Sequence, residues 1–510
     1  MNQDHFDWEK ELDEAPLGMG GFSHESIKQI KERVVMPSTK KRKLQPIVAA
    51  ILAVSLIGSG WLFQDSITGW FNNDTSTSEL KAPIWDQEEV TLSVQYVDKF
   101  NFIEQIGRGF IIDHPKVEFD VPLEPISYEL EVYKQWLEDN NPDLIQIPLG
   151  LIDDLAAEGL IKPLDSWIHR DQFSLDEYYE PVIRTIREAG AGSMYGLPYQ
   201  FDTYALYYNK SLFKQFGVDP PSDQMSWMDV LTLASRFKGT DAEGKPIYGI
   251  DSPWASSPFT FIQNIGQIDG LNIASTNDLK PTLDTEGWKT VWDRVIPGFR
   301  DGWISDEYFT IPQGHFLLKD KYQVDPFLNG RSAMTLMPSY YEWILKNAKE
   351  VVGFTVDWDI VTQPVSPSHP DIASHLTVNY IYAIHAKSPN AEAAWALLQH
   401  IVGPDADKQN NQLNYSRLLA RLPTIGSESP HQDGIYYKLD VDSSAVIEQS
   451  NQSYDVTYQQ FRAKLQVAGD EEVRAIVAGT HTTEQALKAL QQVAENVAEQ
   501  VKAGARENHS

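Results

Sequence analysis

Asp202 sits among ring side chains, with Tyr199, Tyr204, Tyr207 and Tyr208 close by in the chain. A carboxylate accepts hydrogen bonds from hydroxyls, and flat ring faces cover C–H surface, so this set suits a polyhydroxylated ring. The surrounding positions read as a strand: Leu206 and Tyr208 alternate with Ala205 and Tyr207, and Asn209 breaks the run. Ser211 to Phe216 then begins a short helix that Gly217 closes. Spacing alone leaves a second reading open, in which the tyrosines are packing residues of a core strand.

Little else in the sequence offers chemistry. There is no His-Glu-x-x-His pair, no Gly-x-Ser-x-Gly elbow and no Walker loop, so nothing supports an enzyme, a metal or another cofactor. Seventy-two acidic residues make carboxylate pairs inevitable, and acids as such identify no glycosidase. The stretch 238–249, with Thr240, Asp241, Glu243 and Gly244, lacks the first aspartate and the distant glutamate of a calcium loop and reads as a turn. Cysteine is absent, which removes disulfides, thiolate metal sites and lipid attachment; Ser59 stands after Leu56-Ile57-Gly58 where a lipidated cysteine would. A formal net charge of −30 argues against nucleic acid and anionic lipid as partners.

Residues 1–44 carry eight acids and eight bases, so the excess negative charge lies beyond them. Leu44 to Phe63 is a twenty-residue run without a charge, and at about 1.5 Å per residue a helix there spans the ~30 Å core of a bilayer. Lys40-Lys41-Arg42-Lys43 directly precedes it, which places the N-terminus in the cytoplasm and the bulk of the chain outside. The 43-residue leader is too long for a normal signal peptide, and no clear Ala-x-Ala site follows, so the expectation is an uncleaved signal-anchor. Asn72 to Glu79 has the composition of a linker. Ser23 to Val35, with Ile27, Ile30 and Val34 on one side, could dock a cytoplasmic partner of residues 1–43; the alternative is a solvated tail that only fixes topology.

Several motifs occur in a familiar order. Tyr195-Gly196-Leu197-Pro198, running on to Tyr208-Asn209-Lys210, resembles the first hinge crossing of the bacterial extracellular solute-binding proteins of maltose-binding type. Asn141 to Gln146 resembles that family's buried strand ending at the cleft, and Asp154 to Asp165 the helix and turn that follow. Pro220, Pro221, Ser226 and Trp227 are similar to its Pro-rich entry to a helix, with Ser226 as N-cap. Phe327 to Met334 resembles its Phe-x-x-Gly-Lys-Ala-Ala-Met strand entry, and Tyr380 to Ser388 with Ala391 to Trp395 its return strand and helix.

The resemblance implies an α/β, two-lobed periplasmic-binding-protein-like fold of type II, with ligand between the lobes and an N-terminal transmembrane helix in place of a lipobox. The expected organisation is a tail (1–43), a membrane helix (44–63), a linker (64–87), lobe 1 (88–201 and 373–405) and lobe 2 (202–365 and 410–505). Periodicity agrees at Val90–Tyr96 and Leu144–Ile147, which read as buried strands, and at Ala391–Ile401 and Thr483–Val501, which read as helices. By analogy Asp202 faces the ligand, and Tyr340 falls where the family carries a stacking tryptophan. Tyr199, Tyr204, Trp254 and Tyr380 are further candidates for aromatic walls. Met337 departs from the family's small turn and is expected to narrow the space for a sugar. The implied function is a membrane-anchored extracellular receptor that captures carbohydrate and delivers it to the permease of an ABC importer. A ligand sensor acting through the cytoplasmic tail and a non-binding structural relative are the alternatives.

Overall fold

The computed structural model describes residues 84–251, 255, 257–275, 278–307, 324–353, 355–404, 418–422 and 434–508. The chain divides into two units, 1–81 and 82–510. The expected tail, membrane helix and most of the linker lie outside the described residues, as does Trp254. No described helix is long and apolar enough to cross a membrane.

In the second unit the chain begins with β1 (Val90–Ser93), β2 (Val117–Asp120), α1 (Leu130–Asn140), β3 (Leu144–Ile147), α2 (Glu180–Ala189) and β4 (Gly196–Pro198). There follow β5 (Gln200–Asn209), α3 (Lys210–Phe216), α4 (Trp227–Ala234), β6 (Gly239–Thr240), β7 (Pro246–Asp251), α5 (Pro258–Ile268) and α6 (Glu286–Asp301). Next come β8 (Ser332–Pro338), α7 (Tyr341–Val352), β9 (Trp358–Thr362), β10 (Leu376–Thr377), β11 (Ile381–Ile384) and α8 (Ala391–Val402). Last are β12 (Leu418–Leu419), α9 (Ser443–Tyr454), α10 (Val456–Val477) and α11 (Thr483–Asn508).

The first lobe is built on short strands. β1 and β2 run parallel with Val90 opposite Val117, a bridge from Val94 to Leu144 leads to β3, and β11 lies antiparallel between β3 and β4. Leu144, Ile145 and Ile147 are fully buried, because rings and aliphatic groups from α1, α2 and α8 pack on these strands. One carboxylate ties the pieces together. Asp143 accepts from Ser93 N (2.9 Å), Ser388 Oγ (2.6 Å) and Asn390 Nδ2 (3.3 Å), so it joins β1, β3 and the approach to α8.

The second lobe centres on β5. β8 pairs antiparallel with Tyr204–Tyr208, β7 runs parallel to β8, and β6 forms a hairpin with β7. β9, β10 and β12 take successive stretches of β5, at 205–209, 202–203 and 200–201. The alternation read from the sequence decides the two faces. Leu206 and Tyr208 enter the core made with α4, α5, α6, α10 and α11, whereas Ala205 and Tyr207 join the apolar cluster that contains α7 and the first lobe. Local signals set the boundaries: Asn209 caps α3 by accepting from Leu212 N, Gly217 (φ +64°) ends it, and Ser226 with Asp229 forms a capping box on α4.

Three details differ from the sequence reading. Ile84–Gln87 is a helical turn whose Trp85 stacks on Phe110, so the end of the expected linker packs as part of the lobe. β1 stops at Ser93, and beyond it Val94 bridges to Leu144 and donates its N–H to Asp120 O (2.8 Å). Residues 443–454, expected in lobe 2, form α9, which packs on the first lobe: Thr185 Oγ1 donates to Ser443 Oγ (3.0 Å) and Gly150 N to Ser450 Oγ (2.9 Å). The turn expected at 238–249 is present as the β6–β7 hairpin, with the Asp241 carboxylate accepting from the backbone of Glu243 and Lys245.

The second lobe depends on a close approach of α10 to α5. A Cβ on Gly469 would stand 2.3 Å from the ring of Phe259, which is fully buried. Gly469→Ala therefore forces the helices apart or strains the ring, and a loss of about 1–3 kcal/mol is expected. A denaturant titration of the full chain measures it; an unchanged midpoint would show that the contact gives way without cost.

Candidate functional site

Among the described residues three chain segments connect the lobes. The first passes from β4 through Tyr199 into β5, the second runs from β9 through β10 to β11, and the third is Asp455, between α9 and α10. Side chains bind the first two together. Thr203 Oγ1 donates to His375 O (2.7 Å), Gln363 Nε2 donates to Thr203 Oγ1 (2.9 Å) and His375 O (2.9 Å), and Gln363 Oε1 accepts from His375 N (2.8 Å) and Ser374 Oγ (2.7 Å).

Asp202 lies at this junction, opposite Thr377 on β10, and accepts from Asn379 Nδ2 at 2.8 Å. Tyr204 follows on the same face of β5. Its ring meets His375 edge-on at 5.1 Å, and its hydroxyl is held well above the usual tyrosine range by burial, with Tyr340 and Asp202 adding to the effect. The fold thus brings Asp202, Tyr204 and Tyr340 together, the last at the N-terminus of α7. Tyr380 is 39% exposed and belongs to a separate ring group with Tyr128 and Tyr454, each ring 5.8 Å from that of Tyr128. Tyr199 packs half-buried on the first-lobe core, and its carbonyl accepts from Ala420 N. Met337 does not narrow the site: it is buried on the opposite face of β8, and Leu336 reaches the cavity instead.

That cavity, of about 230 Å³, lies beside Tyr204 and His375. α5 lines it with Thr260, Asn264 and Gln267, the end of α9 with Gln449, Gln452 and Ser453, and the start of α10 with Tyr458, Gln459 and Arg462. Walls from both lobes therefore meet at the third crossing. Among the described residues no carboxylate lines it. The sequence analysis missed all nine of these helix residues, although one signal was available. Thr260, Asn264 and Gln267 recur at helical spacing in α5, whose Phe259, Phe261, Ile262 and Ile265 are buried, so they form a polar stripe on a largely apolar helix.

His375 is half-buried, and enclosure of its ring pushes its pKa down to about 4 from an ordinary 6.5. Between these values the unfolded chain binds the proton and the folded one does not, so stability rises with pH across that window and falls as acid is added. His375→Gln should remove about one proton's worth of this slope when unfolding of the full chain is followed from about pH 6.5 to about 4. An identical slope in the variant would mean that the folded histidine titrates normally.

Comparison with known proteins fits this architecture. The chain is 26% identical over 164 residues to a binding protein of Brucella abortus, covering 31% of this chain and 38% of that protein. It is 23% identical over 201 residues to the sn-glycerol-3-phosphate-binding periplasmic protein of Escherichia coli, covering 38% and 43% respectively. It thus spans less than half the length of these curated relatives. Among solved structures it resembles a Rhizobium etli sugar transporter in an open conformation (TM-score 0.56, 20% identity, 80% of this chain and 99% of that one). It also resembles the sugar-binding protein MalE of Xanthomonas citri (0.56, 16%, 82% and 99%). At such identities these likenesses establish the fold. Residues 131–408, more than half of the chain, match the bacterial extracellular solute-binding protein, and the chain belongs to that family of non-enzymatic receptors.

Proposed function

We propose that this protein captures a carbohydrate in the cavity between its lobes and delivers it to an ABC importer. The observation that carries the reading is the cavity wall: amides, hydroxyls and rings supplied by α5, α9 and α10 around Tyr204. Amides both donate and accept, so a few of them can satisfy the mixed hydroxyls of a small polyol, while rings cover its C–H faces. At about 230 Å³ the space lies just below the ~300–1,000 Å³ typical of drug-sized ligands, which suits a small solute. In this reading Asp202, Tyr204 and Tyr340 form the hinge side of the site, and Tyr380 with Tyr128 and Tyr454 forms a ring wall on the first lobe. Tyr199 and Trp254 remain proposed contacts on sequence grounds. Relatives with sugar and glycerol phosphate in their names point to ligands of the same kind.

Residues 44–63 would hold the receptor at the cell membrane, with residues 1–43 in the cytoplasm and the lobes outside. That interior segment, longer than delivery alone requires, favours a second reading in which ligand closure signals to a cytoplasmic partner.

A thermal-shift screen of the full chain against mono- and oligosaccharides tests capture. Ligand at about a hundred times its Kd adds about 2.7 kcal/mol, a shift of a few degrees. Asp202→Ala, which also releases Asn379, is expected to weaken any hit at least tenfold. Silence across the panel would sink the capture reading, and a hit untouched by the variant would move the site away from the hinge.

A further inference from the structure

We propose that the captured solute carries an acidic group, and that Arg462 is the side chain that holds it; the inference rests on the capture reading above. Arg462 lies on the first turns of α10, half-buried in the cavity wall. Its guanidinium has no hydrogen bond or ion pair with any described residue. In this chain that is unusual for a sheltered arginine. Arg184, Arg187, Arg331 and Arg421 are each partly or fully buried, and each holds a carboxylate: Asp440, Asp165, Glu307 and Glu177 respectively. Arg236 and Arg294 also lack an acid partner among the described residues, but they are exposed to water. With 72 acids against 42 lysines and arginines, a sheltered cation without a carboxylate is not a matter of short supply.

The surroundings give the same sign. Glu448, on the preceding helix, accepts from Gln452 Nε2 (3.3 Å), and Asp202 accepts from Asn379. Two further cavity groups are uncommitted: the side-chain amides of Asn264 and Gln267 are half-buried and make no hydrogen bond with described residues. Half-buried donors without partners are costly unless water or a ligand satisfies them. One cation and two amides around a small space with no acid in its wall match a carboxylate or phosphate beside hydroxyls. A guanidinium can grip either with two parallel N–H···O bonds. The class is therefore a sugar acid or a sugar phosphate.

The test compares matched probes on the full chain: glucose, glucuronate and glucose 6-phosphate, then galactose and galacturonate, by isothermal titration in low and high salt. At least one acidic member should bind ten or more times more tightly than its neutral counterpart, with affinity falling as salt rises. Arg462→Gln should abolish that preference, and Arg462→Lys should keep part of it while losing the bidentate component. Both variants should melt as the parent does. A preference for glucuronate over glucose 6-phosphate, or the reverse, separates carboxylate from phosphate. Equal binding of neutral and acidic members, unchanged in Arg462→Gln, would overturn the inference and leave a receptor for neutral sugars. If no probe binds and the carbohydrate panel is also silent, the capture reading itself fails.

Discussion

The strand β5 is the constraint on which the rest of the second unit depends. Ten residues long, it starts at the first crossing and ends inside the second lobe, and five other strands pair with it or with its neighbour β8. A one-residue slip would send Leu206 and Tyr208 toward α7 and turn Ala205 and Tyr207 onto the α5–α10 core. The same slip would take Tyr204 away from the cavity and Asp202 away from Asn379. The pattern that fixes the core therefore fixes which face of the hinge meets a ligand.

Above that strand, hydrogen bonds decide how rigid the crossings are. Gln363 uses both ends of its amide, so Thr203 in the first crossing and Ser374 with His375 in the second behave as one unit. Both Thr203 and Gln363 are 2% exposed, so breaking this set would leave buried polar groups unpaired, which costs about 1–3 kcal/mol per group. Movement between the lobes is more easily taken up where fewer such groups are sealed, which points to the third crossing.

Much of this was legible in the sequence, and the parts that were not share a cause. The stretch 195–217 could be read because strand alternation, an Asn that breaks the strand and a Gly that closes the helix are local codes that need no knowledge of the remaining chain. The N-cap at Ser226 and the turn at Asp241 belong to the same class. The docking of α9 was not legible, since its few buried positions, Ser443 and Val446, do not say which lobe covers them. The candidate site followed the same division. Asp202, Tyr204 and Tyr340 sit in or next to strands of the hinge and could be picked out, whereas Arg462, Asn264 and Gln452 meet only because three helices distant in sequence converge. Met337 shows how fine the margin is: one position along β8 separates a core residue from the cavity-lining Leu336.

At the third crossing a single residue separates two helices, and its bonding bears on how the lobes could close. Asp455 takes an extended conformation (φ −74°, ψ 105°); its N–H closes α9 on Asn451 O, and its carboxylate caps α10 at Tyr458 N. Each helix end is thus satisfied by a different group of one residue. The angle between α9 and α10 can change through the dihedrals of Asp455 without leaving either end open, provided its side chain follows α10. Gln452 and Ser453 lie just before this pivot, and Tyr458, Gln459 and Arg462 just after it. A solute that touches both sets gains contacts only when the helices stand at the right angle, which is the differential binding that closure requires. A small cavity straddling one pivot residue therefore gives a few hydrogen bonds leverage over two whole lobes.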